Sequence, residues 1–264
     1  MANRKNKSTD ANDLDLGYAQ RSARPLQSFY FLLPLIVAYE AAMILFYRNG
    51  LQTDIIARRM LRITGEFLGI GEIMLYLPGP LIAGALLGMH FASKQRFTSK
   101  AWRFDLGLHL RMWVETLAWA IPLLLFGTLF LQATAGDTTL QASDNASLLG
   151  ERLVLSVGAG LYEELLFRLI GIAIVHAILV DVLALPKHVG QIGAIAGTAI
   201  LFSAYHFLQV GREFDLRFFV FATAAGVYFA WLYVARGFGI AAGTHAVYDI
   251  VATLLAAILS SSGP

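Results

Sequence analysis

The feature that most constrains this chain is a series of apolar runs, each about as long as a membrane is thick. A helix needs roughly 20 apolar residues to cross about 30 Å of hydrocarbon. Composition agrees, because 57% of the 264 residues are hydrophobic and only 14% are charged, whereas soluble domains carry about 25% charged residues. The sequence therefore predicts an all-α, polytopic transmembrane bundle. Its apolar runs lie at about 29–47, 73–92, 112–133, 151–180, 192–210, 217–235 and 239–260.

The number of spans depends on the fourth of these runs. Residues 151–180 are too many for one span perpendicular to the membrane. The run must tilt, project from the bilayer, or break near Gly171 and so add an eighth segment. We therefore expect seven to eight spans.

The segments outside the apolar runs suggest how the chain is organised. Residues 1–28 are polar and lack the apolar core of a signal peptide, which predicts a cytoplasmic tail. Residues 29–133 form N-terminal transmembrane helices, and 148–258 form a core that holds most of the intramembrane charge. Near 55–69, apolar residues alternate with arginines, as in an amphipathic helix lying on anionic headgroups. An ordinary helix covering one end of the bundle explains that segment equally well.

The basic residues predict the orientation. A cytoplasmic N-terminus puts the lysines and arginines of 94–111 on the inside as well. It leaves the loop 134–150, which has Asp137 and Asp144 but no lysine or arginine, on the outside. The arginines at 58, 59 and 62 are the contrary observation. We predict an integral membrane protein with its N-terminus in the cytoplasm.

Three polar motifs interrupt the C-terminal apolar runs. They are Glu163-Glu164-x-x-x-Arg168, Phe202-x-x-x-His206 and His245-x-x-x-Asp249. A charged side chain at the centre of a membrane helix costs roughly 2.5–3.5 kcal/mol, so the charges of the first motif need a reason. At 100° per residue, Glu164 and Arg168 lie about 40° apart and can pair, which leaves Glu163 without that partner. An ion pair plus a carboxylate facing a polar crevice is the purely structural alternative.

These residue types permit peptide hydrolysis. A glutamate can act as a general base toward water, and a histidine can hold the same water by a hydrogen bond. A second histidine and its neighbour one turn later could donate to the oxyanion of a tetrahedral intermediate. The chain has no cysteine, and Ser203 lies outside any G-x-S-x-G turn. Activated water is therefore favoured over a side-chain nucleophile.

In this order, and on successive predicted helices, the motifs resemble those of the CAAX-protease and bacteriocin-processing (CPBP or Abi) family. This family includes the type II CAAX prenyl endopeptidases, which are intramembrane glutamic endopeptidases. The resemblance covers about 148–258 and implies a hydrolase, a membrane endopeptidase. It implies that Glu163 activates water with His206, and that His245 and Asp249 form the oxyanion pair. Glu164, Arg168 and Phe202 would support the site.

The resemblance also implies the partners and the location of the protein. A peptide or protein substrate, prenylated or of bacteriocin type, would enter from the lipid bilayer. We expect no cofactor, no metal and no nucleic acid, and the bacterial cytoplasmic membrane as the location. The sequence does not indicate an oligomeric state.

Asp249 departs from the pattern, because prenyl-processing members usually have asparagine there. An ionised aspartate cannot donate a hydrogen bond to an oxyanion. Either Asp249 is protonated, or it orients His245 and leaves the donation to the imidazole.

Three other functions fit some of these residues. Glu163, His206 and His245 could bind zinc, although no H-E-x-x-H motif is present. The chain could be a non-catalytic membrane regulator or a bacteriocin self-immunity protein of the same fold. A transporter could relay protons through such groups, but no paired broken helices in corresponding halves are visible. Glu40 and Glu72, in or beside the first two runs, have no assigned role.

Overall fold

The computed structural model describes residues 17–48, 78–93, 102–134, 146–208 and 213–261, together with four isolated positions between the first two ranges. Within these residues the regular structure is entirely helical, as the apolar runs predict. The short helix α1 (Tyr18–Ser22) precedes seven longer ones. These are α2 (Pro25–Arg48), α3 (Pro78–Ala92), α4 (Leu106–Thr134), α5 (146–182), α6 (Lys187–Tyr205), α7 (Leu216–Arg236) and α8 (Phe238–Ser261).

The seven longer helices correspond one to one with the seven apolar runs. Six of them, α2 and α4 to α8, are long and apolar enough to cross a membrane, and α3 is a shorter apolar helix. The predicted helical membrane bundle is confirmed. The amphipathic helix expected near 55–69 lies outside the described residues apart from isolated positions, and Glu72 lies outside them altogether.

Helix α5 accommodates its length without a break. It is α-helical over Ala146–Glu164 and Ile172–Ala177, and π-helical over Leu165–Gly171 and Ile178–Val182. Gly171, where a break would have given an eighth segment, keeps a right-handed helical conformation with φ −62° and ψ −50°. The first π-helical segment begins directly after the two glutamates. Such segments occur often at functional sites.

Small residues let the helices of the C-terminal core approach closely. Gly160 of α5 faces the backbone of Ala246 in α8 so tightly that a Cβ atom on the glycine would overlap it. Gly226 of α7 lies beside Ala199 of α6, where a Cβ would come within 3.0 Å of the Ala199 Cα. These contacts bring the polar residues of α5, α6 and α8 toward one another.

A polar cluster joins α1 to α4 and to the C-terminal end of α7, and we call it the Glu115 cluster. Glu115 accepts hydrogen bonds from Arg236 at 2.5 and 2.8 Å and from the Tyr18 hydroxyl at 2.6 Å. Arg236 also donates to the Ser22 hydroxyl and to the backbone carbonyl of Ala19. Burial, with the hydrogen bond to Glu115, raises the pKa of the Tyr18 phenol above its usual range. The cluster therefore joins three helices through one carboxylate.

Candidate active site

The residues singled out in the three motifs come together in the core of the bundle. Glu163 and Glu164 end the first α-helical part of α5, and His206 follows the last residue of α6. His245 lies in the second turn of α8, with Asp249 one turn later. Glu163, Glu164 and His245 are buried, with 6%, 0% and 4% of their surfaces exposed.

Two histidines from different helices face the carboxylate of Glu163. Its Oε2 atom lies 3.9 Å from Nε2 of His206 and 3.9 Å from Nε2 of His245. Both separations are too long for a direct hydrogen bond. The three side chains therefore face a common space, and Glu163 makes no direct hydrogen bond to either histidine across it.

The backbone of α6 fixes the orientation of His206. Its Nδ1 atom lies 2.7 Å from the carbonyl oxygen of Phe202, and a carbonyl can only accept, so Nδ1 carries the proton. Nε2 is thereby turned toward Glu163. The hydroxyl of Ser203 donates to the carbonyl of Phe219 at 2.7 Å and is thus engaged elsewhere.

His245 has carboxylates on both sides of its ring. Its Nδ1 atom lies 2.8 Å from Oε1 of Glu164, while its Nε2 lies 3.4 Å from Oδ2 of Asp249. The ring of Phe229 stacks on the imidazole, with centroids 4.4 Å apart and planes inclined by 18°. Glu164 therefore holds Nδ1, and Asp249 lies on the same side of the ring as Glu163.

The spacing-based pairing of Glu164 with Arg168 is present in the structure. Oε2 of Glu164 lies 3.2 Å from Nε of Arg168, and both side chains are buried. The guanidinium also donates to the carbonyl of Gly226 at 3.2 Å and lies 4.4 Å from the ring centre of Phe202. A cation over an aromatic face is attracted to it. Arg168 is thus held by α5, α6 and α7 together.

Four contributors to this environment were assigned no role from the sequence. Phe229 and Gly226 lie on α7, whose run carries no polar motif, and aromatic and glycine residues occur in most of the runs. The hydroxyl of Tyr162, the residue before Glu163, donates a hydrogen bond to Glu40 of α2. Of these residues, only Glu40 stood out in the sequence, as an acidic residue in an apolar run. The sequence did not indicate which residue it contacts.

The described part of the chain contains no group of three or more histidine, aspartate or glutamate side chains arranged to hold a metal ion.

Residues 145–251 match the family described as Type II CAAX prenyl endopeptidase Rce1-like. The matched segment contains every motif residue from Glu163 to Asp249 and none of α1 to α4. Comparison with curated proteins and with solved structures gave no match.

Proposed function

We propose, from the premise that residues 145–251 form an Rce1-like domain of the CAAX-type intramembrane protease family, that this chain cleaves peptide bonds with water activated by Glu163. One observation carries the proposal. A buried carboxylate stands 3.9 Å from Nε2 of each of two histidines, which come from two other helices.

The first step is the activation of water. Glu163 and Nε2 of His206 are both acceptors, and one water molecule can donate a hydrogen bond to each across a gap of this size. The water oxygen then presents a lone pair to the substrate. As it attacks the carbonyl carbon, its proton passes to Glu163, which acts as the general base.

The second step is the stabilisation of the oxyanion. Nδ1 of His245 donates to Glu164, so a proton on Nε2 makes the ring a cation facing Asp249 and Glu163. This charge balances nearby carboxylates, while Arg168 balances Glu164. Nε2–H can then donate to the carbonyl oxygen as negative charge develops on it. In this assignment Asp249 stabilises the imidazolium and does not itself donate.

The third step is the collapse of the tetrahedral intermediate. The C–N bond breaks, the leaving amine takes the proton from Glu163, and the acyl fragment departs as a carboxylic acid. Every atom and proton is supplied by substrate, water and these side chains, so no cofactor is needed.

We infer a membrane-associated substrate, prenylated or of bacteriocin type, and a bacterial cytoplasmic membrane with the N-terminus inside.

The proposal is tested with purified protein in liposomes and an internally quenched, farnesylated CAAX peptide. Because the amide cannot accept the proton, we expect Glu163→Gln to lower kcat by at least about 10²-fold, and His206→Ala to have a comparable effect. Glu151→Gln, the same change twelve residues earlier on α5, is the control and should cleave normally. Turnover should persist in a chelator.

Turnover by Glu163→Gln at the wild-type rate would overturn the glutamic mechanism. If the peptide resists the wild-type protein, peptidomics of membranes containing the wild type or Glu163→Gln provides the second measurement. Identical peptide profiles would favour the non-catalytic regulator.

A further inference from the structure

Glu40 is an acidic residue within the first membrane helix and outside the matched domain. An unassisted charge there costs roughly 2.5–3.5 kcal/mol. Its carboxylate oxygen Oε1 accepts two hydrogen bonds, one from the hydroxyl of Tyr162 and one from the backbone N–H of Gly79 at 3.0 Å. Both donors belong to other helices. The carboxyl oxygen of Glu40 is therefore an acceptor in contacts between helices.

Three contacts of α2 with α5 fall just before the candidate base, the first of them being the hydrogen bond from Tyr162 to Glu40. Tyr162 immediately precedes Glu163 and is 1% exposed. The ring of Tyr39, next to Glu40, packs edge-on against that of Tyr162, with centroids 5.2 Å apart. Tyr39 also lies over Gly158, where a Cβ atom would overlap its ring. Two consecutive residues of α2 thus hold the turn of α5 that leads into Glu163.

We propose that Glu40 is a positioning residue for Glu163, which it orients through Tyr162. This inference rests on the proposed function of Glu163 as the base. A catalytic group must be held within about 0.5 Å of its productive position. Anchoring the hydroxyl of Tyr162 fixes the rotation of its helical turn and hence the direction of the next side chain. The π-helical segment on the other side of the glutamates begins at Leu165, so the α2 contact is the anchor on the α-helical side.

The second hydrogen bond extends this role to α3. That helix begins at Pro78, and its first N–H groups have no acceptor within the helix. The carboxylate of Glu40 accepts from one of them, where negative charge is favourable. One side chain therefore links α2, α3 and α5. On this reasoning the helices that precede the matched domain form part of the catalytic unit.

The kinetic test compares Glu40→Ala, Glu40→Gln and Tyr162→Phe in the liposome assay. Alanine removes the acceptor, and we expect kcat to fall by about tenfold at unchanged KM, the effect of a sub-ångström misplacement. Glutamine keeps an oxygen that both donors can reach and should restore kcat. Tyr162→Phe should match alanine, and the double variant should lose no more than either single one. Val37→Ala, a 58% exposed position of the same helix, should behave as wild type.

A second measurement does not depend on turnover. The chain has no cysteine, so Glu163→Cys introduces a unique thiol at the position of the base. We expect its rate of labelling by a water-soluble maleimide to change at least about threefold when Glu40→Ala or Tyr162→Phe is added, and not with Glu40→Gln. If Glu40→Ala does not fold, the result for Tyr162→Phe decides.

The two measurements separate the two proposals. A wild-type protein without peptidase activity, but with labelling rates that change as expected, contradicts the proposed function and supports the positioning role. An active wild type, with normal kcat and labelling in folded Glu40→Ala and Tyr162→Phe variants, overturns the positioning role. Additive losses in the double variant also overturn it.

Discussion

At the scale of single residues, the orientation of the two histidines depends on which ring nitrogen faces a hydrogen-bond acceptor. A backbone carbonyl holds Nδ1 of His206 and a carboxylate holds Nδ1 of His245, so both Nε2 atoms point toward Glu163. Glu164 thus has two partners, Arg168 and His245, where helical spacing predicted only the first. Asp249 lies 3.4 Å from Nε2 of His245, the atom that the proposed mechanism assigns as the oxyanion donor.

Asp249→Asn tests the assignment of this residue. If Nε2 of His245 is the oxyanion donor, then an asparagine, which can itself donate, should keep kcat within about tenfold of the wild type. His245→Ala should lose about 10²–10³-fold, as expected when one oxyanion donor is removed. The liposome assay measures both. A dead Asp249→Asn variant would mean that the carboxylate itself takes part in the chemistry.

At the scale of helices, the contact between α5 and α8 decides whether the site forms. Gly160 and Ala246 meet there backbone to backbone, three residues before Glu163 and one after His245. Neither residue does any chemistry in the proposed mechanism. Their small size sets the distance between the base and the candidate oxyanion donor.

Gly160→Ala should therefore lower both stability and activity. The added methyl group must push α5 and α8 apart, at a cost of about 1–3 kcal/mol in the free energy of unfolding. Unfolding by SDS in mixed micelles measures this loss. Gly197→Ala on α6 is the control, because its Cβ would come no closer than 3.9 Å to Val175 of α5, and alanine is a better helix former than glycine. Equal stability of the two variants would contradict the role of this contact.

Features that depend on neighbours along the chain were predictable from the sequence. The apolar runs correspond to the helices, and the i, i+4 spacing of Glu164 and Arg168 predicted their ion pair. Among the described residues no eighth segment is present, because α5 stays helical through Gly171. Contacts between distant segments, such as Tyr162 with Glu40 or Phe229 with His245, could not be predicted. They leave no periodic pattern in a single sequence. The catalytic roles and the membrane orientation remain predictions.

At the scale of the whole molecule, the Glu115 cluster joins the first described helix to two membrane helices, α4 and α7. Arg236 and Glu115 are largely buried, with 12% and 16% of their side chains exposed. Removing one member of such a pair leaves an uncompensated charge away from water. The hydrogen bonds of Glu115 and Arg236 go to Tyr18, Ala19, Ser22 and Trp119 and not to motif residues, so we expect the loss of the cluster to affect folding before chemistry.

Glu115→Ala should lower the free energy of unfolding by about 3 kcal/mol, because Arg236 keeps its charge and loses its partner. Tyr18→Phe removes one hydrogen bond from the same carboxylate and should cost only about 1 kcal/mol. SDS-induced unfolding of the two variants provides the comparison. Equal losses would show that the ion pair contributes nothing beyond an ordinary hydrogen bond.

The distribution of the site over α5, α6 and α8 has a consequence for biogenesis. Glu164 and Arg168 can neutralise each other within one helix, so α5 can enter the bilayer before its other partners exist. His206 arrives with α6, and His245 arrives only with α8, the last helix described. A chain inserted in order of synthesis would therefore carry an incomplete site until α8 docks. Any activity toward membrane peptides would begin only after the protein itself had been assembled.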